Sequence, residues 1–301
     1  GLIKTPWKAL NDYIHGVGKN ELACWIAGMG AGKSTHASNL ALFAYKLGFD
    51  VVLYTLELGE NYNRQRIDSI MMGVETEELE HMDEEIAEKL EEYNKAGGSL
   101  TIKKFGTGIT ANTIKNHFNR LRARGKDPDM FIIDYLDLMD SIDPQHNKKR
   151  DWEKFGEVTK EIRNEICFKE NISGHAFVQG NTSAIQDFVI RADSSSGGAR
   201  RLFPADIVIG LARPDELKAQ KKINLSVIKN RFGEDGFYIK GETKYEIGTV
   251  QYHEGAHYNV AGDKDMHVKE QVSNDYKKYK QAKGQTQASK KVEDPDEFTF
   301  D

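Results

Sequence analysis

The run Ala27-Gly28-Met29-Gly30-Ala31-Gly32-Lys33-Ser34 limits what this chain can fold into more than any other stretch. Before it lies a short apolar segment, Glu21 to Ala27, that reads as a strand. After it, Ala37, Leu40, Ala41, Ala44 and Leu47 recur at helical spacing through Ser34 to Leu47. A strand, a glycine-rich turn and a helix opened by Lys-Ser form the phosphate-binding loop pattern, here with Ala27 where glycine is usual. Its glycines let successive backbone N–H groups turn inward on phosphate oxygens, and the helix adds its positive N-terminal end. Ala27, Gly28, Gly30, Ala31, Gly32, Lys33, Ser34 and Thr35 are therefore the candidate nucleotide-binding residues. Lys33 would neutralise β/γ-phosphate oxygens, and the Ser34 hydroxyl would hold Mg²⁺.

The rest of the chain repeats the alternation. Val51 to Leu56 is a β-branched and aromatic run suited to a buried parallel strand. A charged helical stretch follows from about Gly59 to Gly97. Next come a short strand at Leu100 to Lys103, a helix over Ala111 to Arg124 and a strand at Met130 to Ile133. A helix near Trp152 to Glu170 precedes strands at His175 to Val178 and Ile207 to Leu211. This order predicts a parallel sheet with helices on both faces. Ile223 to Ile228, Gly236 to Lys240 and Thr249 to Tyr252 alternate more and read as antiparallel strands at the sheet edge. From about Ala261 the chain turns polar, and residues 275 to 301 lack a periodic apolar face, which predicts a disordered tail. That tail ends in acids around Phe298 and Phe300, which suits a solvated end and also a short docking peptide. The first strand is reached near Leu22 and the chain starts at Gly1 without Met, so a missing or processed N-terminal part is expected.

Three polar residues fall where strands end. Asp134 closes Phe131-Ile132-Ile133, at the sheet edge where open α/β folds bind ligands, and is the candidate acid on the Mg²⁺ side beside Ser34. Glu57, in Thr55-Leu56-Glu57-Leu58, could orient and deprotonate an attacking water. Gln179 follows His175 to Val178 and could sense the γ-phosphate; an ordinary loop glutamine fits equally.

Taken in order, Lys33-Ser34, Glu57, Asp134-Tyr135-Leu136, Gln179 and Lys229-Asn230-Arg231 resemble the motor domain of the DnaB family of replicative helicases, in the version found in tailed phages. The resemblance runs from about Pro6 to Tyr252. Its most specific pieces are Leu53-Tyr54-Thr55-Leu56-Glu57-Leu58, Ile133-Asp134-Tyr135-Leu136 and Lys229-Asn230-Arg231-Phe232-Gly233. It implies an α/β RecA-like P-loop ATPase core over residues 1–260, with a tail over 261–301. It implies ATP and Mg²⁺ as ligands, and Glu57 as catalytic base. Gln179 would be the residue that couples nucleotide to DNA, and Lys229 and Arg231 a finger reaching a neighbouring subunit's ATP. Many family members carry Ser-Gln-Leu-Asn-Arg where this chain has Val178-Gln179-Gly180-Asn181-Thr182. Exposed cations such as Lys229 and Arg231 are, on composition alone, also an ordinary solvated pair.

A net charge of −5 and a pI near 6.0 argue against nucleic-acid binding by the whole surface, so such contacts must come from local basic loops. The family's DNA loop resembles Ser195-Ser196-Gly197-Gly198-Ala199-Arg200-Arg201, making Ser196, Gly197, Gly198, Arg200 and Arg201 candidates for phosphate contact. The same composition fits a plain linker. Lys148, Lys149 and Arg150 form a second candidate, or a solvated face. The resemblance implies single-stranded and forked DNA as partners and a hexameric homo-oligomer. A primase, a helicase loader or a single-stranded-DNA-binding protein are further partners it suggests. No stretch approaches the roughly 18 to 20 apolar residues of a membrane span. Together with only two cysteines, this predicts a cytoplasmic protein, in a host's cytoplasm if viral. Two rival readings share the core: a strand-exchange recombinase and a nucleotide-gated regulatory ATPase.

Overall fold

A computed structural model describes residues 1–180, 187–192, 199–254 and 258–259. Strands β1 (Leu22–Ala27), β2 (Asp50–Thr55), β3 (Ser99–Lys104), β4 (Met130–Asp134), β5 (Ser173–Gln179) and β6 (Ile207–Ala212) form the parallel part of one sheet. Strands β1, β4 and β6 are buried at every position, as expected of strands covered on both faces, while β3 lies at the margin and is only half-buried. Four antiparallel strands extend the other side: β7 (Lys222–Asn230), β8 (Phe237–Lys244), β9 (Thr249–Tyr252) and β10 (Tyr258–Asn259). The order is β10-β8-β7-β6-β1-β5-β4-β2-β3, with β9 on β8, so β1 and its loop stand in the middle.

Because side chains alternate along a strand, each strand feeds two cores. Trp25, Leu53, Ile132, Phe177 and Ile209 point to one face, where α2 (Lys33–Lys46) and α1 (Lys8–Ile14) cover them with Leu40, Ala41, Leu10 and Trp7. Ile26, Tyr54, Phe131, Ile133 and Val178 point to the other. There Ile114 and Phe118 of α5 (Ala111–Arg122) and Val158 of α6 (Asp151–Glu161) close over them. The N-terminal helix α1 has no counterpart in the sequence reading; it is tied to the far end of the chain by Trp7, whose indole N–H donates to the Val250 carbonyl at 2.9 Å.

Other elements depart in detail. The charged stretch read as one helical region is α3 (Glu60–Met72), a 3₁₀ turn at Thr76–His81 and α4 (Asp83–Asn94). Gly73, in the left-handed region at φ 71°, ends α3. The helix expected through Glu170 is α-helical only to Glu161 and then π-helical over Ile162–Phe168. A short α7 (Asp215–Ala219) precedes β7. The expected tail, residues 261–301, and the boundary at 260 lie outside the described residues. No helix among the described residues is long and apolar enough to cross a membrane.

Candidate functional site

The glycine loop sits at the C-terminal end of β1 and runs into α2, as its sequence requires. Gly32 takes φ 92° in the left-handed region. A β-carbon there would also overlap the Tyr245 hydroxyl, so glycine is required twice over. That hydroxyl donates to the Ala31 carbonyl at 2.8 Å, pinning the loop from the C-terminal part of the chain. One turn into α2, His36 is fully buried between the Gly32 carbonyl (Nδ1, 2.8 Å) and the Tyr252 hydroxyl (Nε2, 2.7 Å). A carbonyl can only accept, so Nδ1 carries the proton and Nε2 accepts from Tyr252. Burial lowers the His36 pKa to about 4, the Gly32 bond opposing it.

Lys33 donates to the Gln179 side-chain oxygen, and its ammonium lies over the Tyr135 ring at 5.7 Å. Burial lowers its pKa, opposed by the negative charges of Asp134, Asp137 and Glu57. Asp134 ends β4, two strands from β1, and is 5 % exposed. Burial raises its pKa against the Ser34 hydroxyl, which hydrogen-bonds the carboxylate, and against the charges of Lys33 and Arg66. Its Oδ1 is buried with no hydrogen-bond partner among the described residues. An orphaned carboxylate oxygen beside a serine hydroxyl fits a hard cation, which takes oxygen ligands. Strand β2 stops at Thr55, opposite Asp134, and the Leu56 N–H donates to the Asp134 carbonyl at 2.9 Å. Glu57 is therefore two residues beyond the strand, in an exposed bend closed by Thr55 Oγ1 donating to the Leu58 carbonyl at 2.8 Å. The loop, Lys33, Ser34, Glu57, Asp134 and Gln179 thus stand together along one edge of the sheet.

Gln179 is also held from behind. Its backbone N–H donates to Asp137 Oδ2 at 2.7 Å, and Arg201 donates to its carbonyl at 2.6 Å while pairing with Asp137 at 3.0 Å. The Arg201 guanidinium lies 4.8 Å over the Phe155 ring, and its side chain is 12 % exposed. Expected to contact phosphate, Arg201 instead turns inward, because a buried aspartate and a backbone carbonyl offer it charge-assisted bonds. Lys148, Lys149 and Arg150 are exposed. Lys149 and Arg201 line one cavity of about 360 Å³ with Glu153, Gly156, Glu157, Lys160 and Pro204, so the two candidate basic segments meet. Ser196, Gly197 and Gly198 lie outside the described residues, as does the Arg200 side chain.

Lys229 and Arg231 occupy the opposite end of the sheet. Lys229 pairs with Val208, which pairs with Cys24, and the Arg231 N–H donates to the Asp206 carbonyl at the level of Leu22. Five strand residues separate that level from Ala27, about 17 Å at the usual rise per residue. Neither cation is near its own chain's Lys33.

Sequence reasoning missed Tyr245, Tyr252, Arg213 and His36, all tied to the loop. The Arg213 guanidinium stacks on Tyr245 at 4.3 Å and donates to Thr243 at 3.2 Å; its Nε is buried without a hydrogen-bond partner among the described residues. Burial raises the Tyr245 pKa to about 12, Arg213 opposing it. Tyr245, Tyr252 and Arg213 approach the loop from far along the chain, and His36, one turn into α2, is fixed by Tyr252 from there, so no local signal marks them.

The fold recurs in known proteins. A solved ATPase domain overlays with a TM-score of 0.69 at 17 % identity, covering 84 % of this chain and 91 % of that one. A DnaB-like replicative helicase, solved in a study of its interactions with primase, gives 0.68 at 16 %, covering 84 % and 63 %. The RadB recombinase gives 0.53 at 12 %, covering 84 % and 100 %. At these identities the likeness is one of fold, a RecA-type α/β core. In sequence, a DnaB-like replicative helicase of Enterobacteria phage T4 is 25 % identical over 248 residues, 79 % of this chain and 52 % of that protein. The chain thus spans about half the length of its curated relative. The family model for the DnaB-like helicase C-terminal domain matches residues 2–168, more than half of the 301 residues, and the chain belongs to that family.

Proposed function

We propose that this chain is the ATP-hydrolysing motor of a ring-forming replicative DNA helicase, moving on single-stranded DNA and unwinding forked duplex. The observation that carries the reading is the convergence of Lys33, Ser34, Asp134, Glu57 and Gln179 at one sheet edge, with the Asp134 Oδ1 left unpaired beside Ser34 among the described residues. Loop N–H groups and Lys33 hold the phosphates, and the exposed Glu57 accepts the proton of the attacking water. Ser34 and Asp134 would hold Mg²⁺, which supplies charge neutralisation at the transferring phosphoryl group. Gln179, bonded to Lys33 and backed by Asp137 and Arg201, links the phosphate end to the cavity beside Lys149. The stacked Arg213 and Tyr245 stand on the other side of the loop, suited to the nucleotide's base.

Arg231, with Lys229 beside it, acts on the neighbouring subunit's ATP, because about 17 Å of strand separates the level of Arg231 from the end of β1 in its own chain. A hexamer, host-cytoplasmic location, and a primase, helicase loader or single-stranded-DNA-binding protein as partners belong to the same reading. The test is direct. ATPase rates are measured with and without single-stranded DNA, and negative-stain images are taken with ATP and a forked DNA. DNA-stimulated hydrolysis with closed rings supports the helicase; long filaments would indicate a recombinase. ATP-dependent assembly without unwinding would indicate a regulatory ATPase.

A further inference from the structure

Asp206 precedes β6 at the edge of the sheet that carries Arg231. Its side chain is 1 % exposed, yet it is a hub. Arg163, in the π-helical turn, grips it with two bonds, Nε to Oδ2 and Nη2 to Oδ1, both 2.9 Å. The Leu22 N–H donates to Oδ2 at 3.1 Å, and Arg231 Nη1 meets Oδ1 at 2.7 Å. The backbone joins in, since the Asp206 carbonyl accepts the Arg231 N–H at 3.0 Å and the Asp206 N–H donates to the Leu22 carbonyl at 2.9 Å. The carboxylate is therefore fixed by the starts of β1 and β6 and by Arg163 before Arg231 reaches it.

Arg231 itself is 45 % exposed. Its contact with Asp206 is through Nη1, and nearly half of the side chain faces solvent. Two guanidinium groups share one carboxylate, so the cluster keeps net positive charge and Arg231 remains a cation toward an incoming phosphate. Lys229, beside it, spends its ammonium on the Phe203 and Ala205 carbonyls at 2.6 and 2.7 Å.

We propose that Asp206, clamped by Arg163, is a positioning residue: it holds Arg231 by one nitrogen so that the rest of the guanidinium is presented to the neighbouring subunit's nucleotide. This rests on Arg231 acting in trans. A half-exposed arginine at a strand end samples many rotamers, and an anchored one meets the phosphate without that search, which is the gain preorganisation provides.

The test uses assembled full-length chain and ATP. Asp206→Asn keeps the size of the side chain but removes its charge and one acceptor. It is expected to lower DNA-stimulated kcat at saturating ATP about tenfold or more, with KM within about twofold, as misplacement of a transition-state group does. Combined with Arg231→Ala, it should be no slower than Arg231→Ala alone, because Asp206 acts through Arg231. A merely structural Asp206 would multiply the two defects, and that outcome overturns the proposal, as does wild-type kcat in Asp206→Asn. If thermal unfolding shows that Asp206→Asn does not fold, Arg163→Gln, which loosens the clamp, is put through the same cycle with the same two outcomes. Arg231→Ala with wild-type kcat would remove the in-trans reading itself; a slow Arg231→Ala beside a normal Asp206→Asn removes only the positioning role.

Discussion

Acid should loosen this protein as pH falls below 6.5, through two buried histidines around Trp25. His36 contacts Gly32 and Tyr252, and its pKa is lowered to about 4 by burial. His175 accepts the Trp25 indole N–H at Nδ1, 3.0 Å away, and burial lowers its pKa to about 3. An indole N–H can only donate, so His175 Nδ1 must be unprotonated, and a proton there would break the bond. In the unfolded chain both take the ordinary value of 6.5. The unfolded state then binds more protons below that pH, so stability falls as pH falls. From pH 6.5 to 5 the loss is about 1.36 kcal/mol per unit for each histidine, about 2 kcal/mol apiece and about 4 together. Since pH 5 lies above both folded-state values, this figure is insensitive to how far each is lowered. Buried Asp134 and Asp137, whose pKa values burial raises, act with the opposite sign, so a single-variant difference is the clean measure. His36→Gln can still donate to Gly32 and accept from Tyr252, but it does not titrate. Urea unfolding followed by tryptophan fluorescence at pH 7.5 and 5 should give a wild-type loss about 2 kcal/mol larger than that of His36→Gln. Equal losses in the two proteins would refute the assignment of a neutral, buried His36.

The remaining predictions concern the candidate site. Lys33→Ala should lower hydrolysis about 10²–10³-fold or more, as loss of a positioned cation does; near-normal rates in a phosphate-release assay would end the phosphate-loop reading. Glu57→Gln should bind ATP normally in a fluorescent-nucleotide titration yet fail in single turnover, since the amide cannot take the water's proton. Weakened binding with intact turnover would make Glu57 structural. Arg201→Ala strands the Asp137 carboxylate, and a loss of about 3 kcal/mol by thermal unfolding is expected. Arg200→Ala, in contrast, should flatten the salt dependence of single-stranded-DNA binding; the reverse pattern would exchange the two roles.

Much of the candidate site's edge was legible because local rules agree there. Apolar strands two-sidedly buried, glycines before Lys33-Ser34 and acids at strand ends all use information within a few residues, and Asp134 and Gln179 stand where those rules put them. Glu57 was expected at the strand end, but β2 stops at Thr55 because Leu56 turns its N–H to Asp134 and the bend closes on Leu58. What stayed hidden depends on partners distant in sequence. Tyr245 reaches Ala31 across 214 positions, and Trp7 reaches Val250 across 243. Arg201 was expected to face phosphate from the resemblance of Ser195 to Arg201 to the family's DNA loop, and that resemblance does not show the buried Asp137 with which it pairs. Nothing in Ile162–Phe168 marks a π-helical turn, though that turn carries Arg163 to Asp206.

The polarity of the sheet joins these observations. Parallel strands place the glycine loop, Asp134 and Gln179 at their C-terminal ends, while β7, running back antiparallel to β6, returns Lys229 and Arg231 toward the N-terminal ends. If Arg231 acts in trans as proposed, copies meet head to tail, the glycine-loop rim of one facing the Arg231 rim of the next. Such a contact is heterologous, and heterologous contacts close into rings or run on as filaments according to the rotation between neighbours. A recombinase and a replicative helicase both overlay on this core. The fold supplies the two rims; the angle between copies is set by surfaces at the interface. Asp206 and Arg163, which fix where Arg231 stands relative to β1 and β6, would therefore bear on the geometry of the join as well as on the chemistry across it.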